Sequence, residues 1–236
     1  MSKKKLGVLG GMGPLATAIF YEMIVKNTYA NSDQEHIYTI IASHGSIPDR
    51  SKVILDGEDK SIVIDAVKED LKLFETADIS NIAIPCNTFH FFYDDVQKET
   101  NIPIINMVDE ALKESVTSFG EGSTVMILGT DGTLKTNVYE KYAEKYPIKL
   151  IRPDAKIQKI VMKSIYDIKE TGIRKQDQIN DIIEKVTKDN IADGIILACT
   201  ELSLVELTDE NQKVSLDAMF SLVKQSIIRS GYDLIK

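Results

Sequence analysis

Apolar runs of strand length alternate with amphipathic stretches of helix length along almost the whole chain. Leu6 to Leu9, Ile37 to Ala42, Ile79 to Ile84, Ile104 to Ile105, Thr124 to Leu128, Lys149 to Ile151 and Gly194 to Leu197 read as strands. Between them, Leu15 to Tyr29, Ser61 to Thr76, Asp109 to Ser118, Lys135 to Tyr146, Lys156 to Glu170, Gln176 to Asp189 and Ser215 to Ser230 repeat apolar residues every three or four positions. That period marks helices with one buried face. Strands alternating with helices predict an α/β fold with mainly parallel sheets flanked by helices.

Turn residues divide this pattern. Pro85 follows one strand, Pro103 interrupts the chain ahead of another, and Gly120-Glu121-Gly122 precedes a third, so a boundary is predicted near residue 105. The second half opens on a strand ending in Leu128-Gly129-Thr130-Asp131-Gly132-Thr133. The first opens likewise, on a strand ending in Leu9-Gly10-Gly11-Met12-Gly13. The pattern therefore predicts two similar lobes.

Composition narrows the class. With 236 residues and 43% hydrophobic content, the chain can bury a substantial core. Its longest apolar runs, such as Ile195-Ile196-Leu197-Ala198, fall far short of the roughly 20 residues that span a bilayer. The opening Met-Ser-Lys-Lys-Lys followed by Leu6-Gly7-Val8-Leu9 is too brief and glycine-rich for a secretory leader, so the expected location is cytoplasmic, with no membrane partner. The 36 acidic residues outnumber the 28 basic ones, giving a net charge of −8 and no basic stretch suited to a phosphate backbone. Nucleic acid is thus not an expected partner. An acidic substrate would need locally placed Arg or Lys to overcome the long-range repulsion.

The sequence holds two cysteines, and each follows a buried-type strand: Ile82-Ala83-Ile84-Pro85-Cys86-Asn87-Thr88 and Ile195-Ile196-Leu197-Ala198-Cys199-Thr200-Glu201. A free cysteine is commonly just a small buried hydrophobe, and taken singly each of these would be read so. Ligands in open α/β sheets, however, bind beyond the carboxyl ends of the strands, where both cysteines fall. Small polar residues follow each one at an expected helix start, whose free N–H groups favour a thiolate or a carboxylate. Two thiols can remove a proton from one face of a carbon centre and return a proton to the other, exchanging roles in the reverse reaction. A hydrolase or acyl transferase would instead pair one nucleophilic Cys with a His, for which His90 is available by residue type.

Four ordered motifs carry a resemblance: Gly10-Gly11-Met12-Gly13-Pro14-Leu15-Ala16-Thr17, Ile47-Pro48-Asp49-Arg50, Pro85-Cys86-Asn87-Thr88-Phe89-His90 and Cys199-Thr200-Glu201-Leu202. Together they resemble the aspartate/glutamate racemase family, aspartate racemases in particular. The resemblance implies an active site in the cleft between two lobes and a racemase that uses no pyridoxal phosphate or other cofactor. It implies that the C-terminal segment returns to the first lobe, giving residues 1–105 plus about 212–236, and 106–211. Cys86 and Cys199 would be the catalytic pair, with Cys86 acting on the D form and Cys199 on the L form. Asn87, Thr88 and Thr200 would hold the α-carboxylate and amino group, with Phe89 beside them. Arg50 and Lys169 would hold a side-chain carboxylate, with Met12 and Thr130 lining the pocket. Glu201 stands close enough to Cys199 in sequence to influence the thiol or orient an amine. A homodimer is also implied. Phe89 and Ala198 depart from the small residue and the glycine frequent at those places.

The implied reaction is interconversion of L- and D-aspartate, L- and D-glutamate, or both. The other readings are an isomerase or decarboxylase of small dicarboxylates on the same fold, and a binding or thiol-redox protein. Dinucleotide binding is disfavoured, because the second strand ends in Ala42-Ser43-His44-Gly45 without the acidic residue that would hold a ribose. His36, His44 and His90 are dispersed, and no metal site is expected. The run Phe89-His90-Phe91-Phe92-Tyr93 reads as packing, because no basic groove accompanies it.

Overall fold

The computed structural model describes residues 3–235. Met1, Ser2 and Lys236, which the sequence reading places in the first lobe, lie outside them. The chain divides into two compact units, one running up to Met107 and resuming at Met219, the other Val108–Ala218.

The first unit is built on β1 (Leu6–Gly10), α1 (Pro14–Asn27), β2 (Thr39–Ser43), α2 (Arg50–Asp56), α3 (Ser61–Thr76), β3 (Asn81–Ala83), a 3-10 turn (Thr88–Phe92) and α4 (Tyr93–Gln97). Its three strands run parallel in the order β2-β1-β3, with Gly10 opposite Ser43 and Val8 opposite Ala83. Every residue of β1 is buried, which is why that strand reads as an unbroken apolar run. Val63, Val67, Leu71 and Phe74 form the buried stripe of α3. With Ile82, Ile84, Phe89 and Phe92 they join one core cluster.

The second unit contains α5 (Met107–Phe119, beginning at the boundary), β4 (Thr124–Gly129), α6 (Asp131–Lys135), α7 (Val138–Ala143), β5 (Lys149–Ile151), α8 (Ala155–Thr171), α9 (Asp177–Lys188), β6 (Gly194–Ala198), α10 (Asp209–Lys213) and β7 (Ser215–Asp217). Its sheet is parallel in the order β5-β4-β6-β7. α8 starts on an Asp154 cap that accepts from the Ile157 N–H at 2.8 Å, and it stops at Gly172 in the left-handed region, φ 69°. α11 (Ala218–Arg229) leads back into the first unit. There Lys4 N–H donates to Ser230 O at 3.0 Å, and Asn81 Nδ2 donates to Arg229 O at 3.2 Å.

Several elements differ from the sequence reading. The stretch Ser215 to Ser230 is not all helix: its first three residues pair with β6 as β7, and the second unit therefore runs to Ala218 rather than to 211. The stretch Lys135 to Tyr146 is helical only over α7, because α6 ends at Lys135 and Asn137, ahead of α7, takes a left-handed conformation, φ 53°. Ile104 to Ile105 contributes one bridge, Ile82 to Ile104, rather than a strand. α2 fills a segment read as a connection, and the helix expected to start after Cys86 takes the form of the 3-10 turn followed by α4.

Candidate functional site

In the first unit the three strands end side by side, and the residues beyond them carry Met12, Arg50 and Cys86 through Phe89. Gly11 lies at φ 89°, and a Cβ there would fall 2.4 Å from the His44 carbonyl carbon. The glycine turn thus brings the ends of β1 and β2 into backbone contact. The Gly11 N–H donates to Thr17 Oγ1 at 2.8 Å, so this amide is engaged within the turn and its own helix. Met12 and Ile47 pack in the same core cluster as Cys86 and Phe89.

Arg50 is the first residue of α2, directly after the Asp49 cap, which accepts from Lys52 N–H at 3.0 Å. Arg50 Nη1 donates to the carbonyls of Ile47 (3.0 Å) and Pro48 (2.9 Å), and its Nε is buried without a partner among the described residues. One corner of the guanidinium is therefore pinned by the motif's own backbone, which fixes the orientation of the rest.

Cys86 sits three residues past β3, buried at 6% exposure, with its N–H donating to Ile84 O at 2.8 Å. Asn87 and Thr88 are buried at the start of the 3-10 turn, and Phe89 is a core ring 5.9 Å from Phe92. His90 has a definite task. Its Nδ1 donates to the Cys86 carbonyl at 2.9 Å, while its Nε2 accepts from the Met107 N–H at 3.0 Å. Those partners fix the neutral tautomer, and burial pushes the ring's pKa down to about 4. With both nitrogens spent on backbone, His90 clamps the Cys86 turn to Met107 within the first unit and is not placed as a base for a thiol. This removes the motive for the hydrolase pairing.

In the second unit, Thr130 follows β4 and caps α6, accepting from Thr133 N–H at 3.1 Å. Cys199 follows β6 directly and is also 6% exposed. A Cβ on Gly129 would lie 2.9 Å from Ala198 O, so the glycine permits the close approach that sets Cys199 beside the end of β4. The Cys199 thiol donates to Glu201 Oε2 at 2.9 Å, and Thr200 Oγ1 donates to the same oxygen at 3.4 Å. Lys169, in the last turn of α8, lies 3.9 Å from Glu201 Oε1 and 5.6 Å from the Tyr166 ring centroid. Lys163 of the same helix pairs with Asp167 on the surface. Lys169 is thus the α8 lysine that reaches the cysteine cluster.

Burial and the Glu201 carboxylate push the Cys199 thiol well above its ordinary pKa, with Lys169 opposing them. Tyr139 on α7 belongs to this cluster. Its phenol is buried and raised well above its ordinary value by desolvation, then by Asp217 and Cys199. Asp217, at the end of β7, accepts from Ser203 Oγ at 2.6 Å. The sequence reading missed Tyr139, Ser203 and Asp217. Asp217 was hidden because its strand was merged into the following helix, and Tyr139 because a tyrosine on an amphipathic stretch looks like packing.

Each unit therefore presents a parallel sheet whose carboxyl edge carries one buried thiol flanked by Asn and Thr, or Thr and Glu. Such residues offer hydrogen-bond donors, acceptors and an exchangeable thiol proton at each edge. No group of His, Cys, Asp and Glu suited to a metal ion occurs among the described residues. None of their helices is long and apolar enough to cross a membrane.

An α/β protein built of two such units can be placed by comparison. Residues 9–225 match the family model for Asp/Glu/Hydantoin racemase, and the chain belongs to that family. It is 28% identical over 228 residues to the broad specificity amino-acid racemase RacX of Bacillus subtilis (strain 168), covering 94% of this chain and 96% of that one. A glutamate racemase of Staphylococcus carnosus (strain TM300) is 30% identical over 134 residues, 54% of this chain and 48% of that one. Among solved structures, the aspartate racemase of Picrophilus torridus superposes with a TM-score of 0.81 at 28% identity, covering 98% of this chain and 96% of that one.

Proposed function

We propose that this racemase interconverts the L and D forms of aspartate, glutamate or both, without pyridoxal phosphate, through Cys86 and Cys199 as a two-base pair. The observation that carries the reading is the matched placement of the two thiols. Each is buried to the same 6% and lies just past the carboxyl end of a parallel strand. In one direction the Cys86 thiolate takes the α-proton while the Cys199 thiol delivers its proton to the opposite face; the roles reverse in the other direction. Asn87, Thr88 and Thr200 supply donors to the α-carboxylate as it gains enolate character. Arg50, pinned by Ile47 and Pro48, and Lys169 hold the second carboxylate, supplying the local positive charge that a chain of net charge −8 requires.

Arg50→Leu tests the substrate class. Removing a charged partner of a bound carboxylate is expected to lower kcat/KM for aspartate and glutamate by about 10²-fold. Alanine or serine, where turned over, is expected to change by less than about threefold. An equal loss on acidic and neutral substrates contradicts the assignment.

A further inference from the structure

The surroundings of Cys199 are one-sided. Its sulfur donates to Glu201 Oε2 at 2.9 Å, in a place where Cys199 is 6% and Glu201 4% exposed. An ionised carboxylate only accepts, so this hydrogen bond requires the proton on sulfur. Thr200 Oγ1, donating to the same oxygen at 3.4 Å, helps hold the carboxylate on that side. The buried Tyr139 phenol on α7 is held above its ordinary value by burial and then by the charges of Asp217, at the end of β7, and of Cys199. Lys169 of α8 counters the Glu201 carboxylate from its far oxygen, at 3.9 Å.

We infer that Glu201 is a protonation lock: it holds Cys199 as the thiol between turnovers, so the resting protein is set to donate a proton at Cys199. The inference rests on the two-base reading above and makes Glu201 a positioning residue for the thiol. Forming the Cys199 thiolate would place two negative charges 2.9 Å apart in a buried setting. The resting protein therefore begins by removing the α-proton at Cys86. After each such turnover, Cys199 has lost its proton to the substrate carbon and Cys86 has gained one. A proton must leave Cys86 for solvent and another return from solvent to Cys199 before the next. Lys169 makes the intervening thiolate accessible. A side-chain carboxylate bound on Lys169 would offset that help and tighten the lock while an acidic substrate is in place.

The test is alkylation of the whole, unliganded protein by iodoacetamide from about pH 6 to about pH 10, followed at each cysteine by peptide mass spectrometry. In the wild type, the Cys199 profile is expected to rise only above the ordinary thiol range. Glu201→Gln, which keeps the size and loses the charge, is expected to alkylate at Cys199 at least about tenfold faster near neutral pH, with Cys86 unchanged. Lys169→Met is expected to slow Cys199. A wild-type Cys199 that ionises in or below the ordinary range, or a Glu201→Gln profile identical to wild type, overturns the lock. The wild-type profile decides alone if the variant does not fold. Racemisation by the same preparations separates the two ideas: turnover without the alkylation pattern removes the lock and leaves the two-base reading, and the pattern without turnover removes the two-base reading and the lock with it, leaving only a Glu201–Cys199 coupling.

Discussion

His90 shows how a residue type suited to catalysis can be spent on architecture. Its distance from Cys86 in sequence makes it available as a base, but its second partner, the Met107 N–H, comes from a segment 17 positions away that no motif links to it. The folded ring titrates near pH 4, below the ordinary histidine value of 6.5. Between those values the unfolded chain binds a proton that the folded chain refuses, so stability falls as pH drops through that window and is fully present above it. The shift corresponds to roughly 3 kcal/mol. Urea unfolding near pH 7 and near pH 4.5 measures the loss, and His90→Gln is expected to shrink the difference by about one proton's worth. The same pH slope in variant and wild type contradicts the clamp. The cysteines themselves were legible because a strand end is visible in sequence. The Cys199–Glu201 hydrogen bond was not, because sequence proximity does not say which way two side chains turn.

At the scale of elements, stretches with an uninterrupted period were read well, and those broken by a short strand or a left-handed residue were not. α3 has the bounds its spacing gives, since four apolar residues at helical intervals leave one way to bury them. β7 and α2 are too short to show a period. β7 is recognised only through its pairing with β6, a non-local contact, and α2 depends on the Asp49 cap. The turn glycines are the elements' most exacting positions. Gly129→Ala would drive a Cβ to 2.9 Å from the Ala198 carbonyl, backbone that cannot step aside as a side chain would. It is expected to cost about 1–3 kcal/mol in urea unfolding and to lower turnover by displacing Cys199. An unchanged midpoint and turnover show that the two strand ends are not so tightly apposed.

For the whole molecule, the two-lobe plan was legible in the repeated opening of each half, a strand running into a glycine turn. The discontinuity of the first unit was not legible in periodicity, because an amphipathic C-terminal helix carries no label for the sheet it covers; family resemblance supplied it. Met219, Leu222, Val223 and Ile227 of α11 are fully buried. At about 1.5–3 kcal/mol per large apolar side chain, their loss approaches the whole stability of an ordinary domain. A chain ending at Ala218 is expected to lose the cooperative unfolding of the first unit and to bind a hydrophobic dye; retention of the wild-type transition contradicts the assignment of α11. The central claim remains that two thiols move one α-proton. It is tested most directly by incubating the protein with L- and D-aspartate and L- and D-glutamate in D2O without pyridoxal phosphate, and following α-deuterium and configuration by NMR and chiral chromatography. The expected result is an α-deuterated antipode from at least one acid, lowered at least about 10²-fold by Cys86→Ser or Cys199→Ser and abolished when both are replaced. No exchange with either acid, or exchange that persists without both thiols, would contradict it.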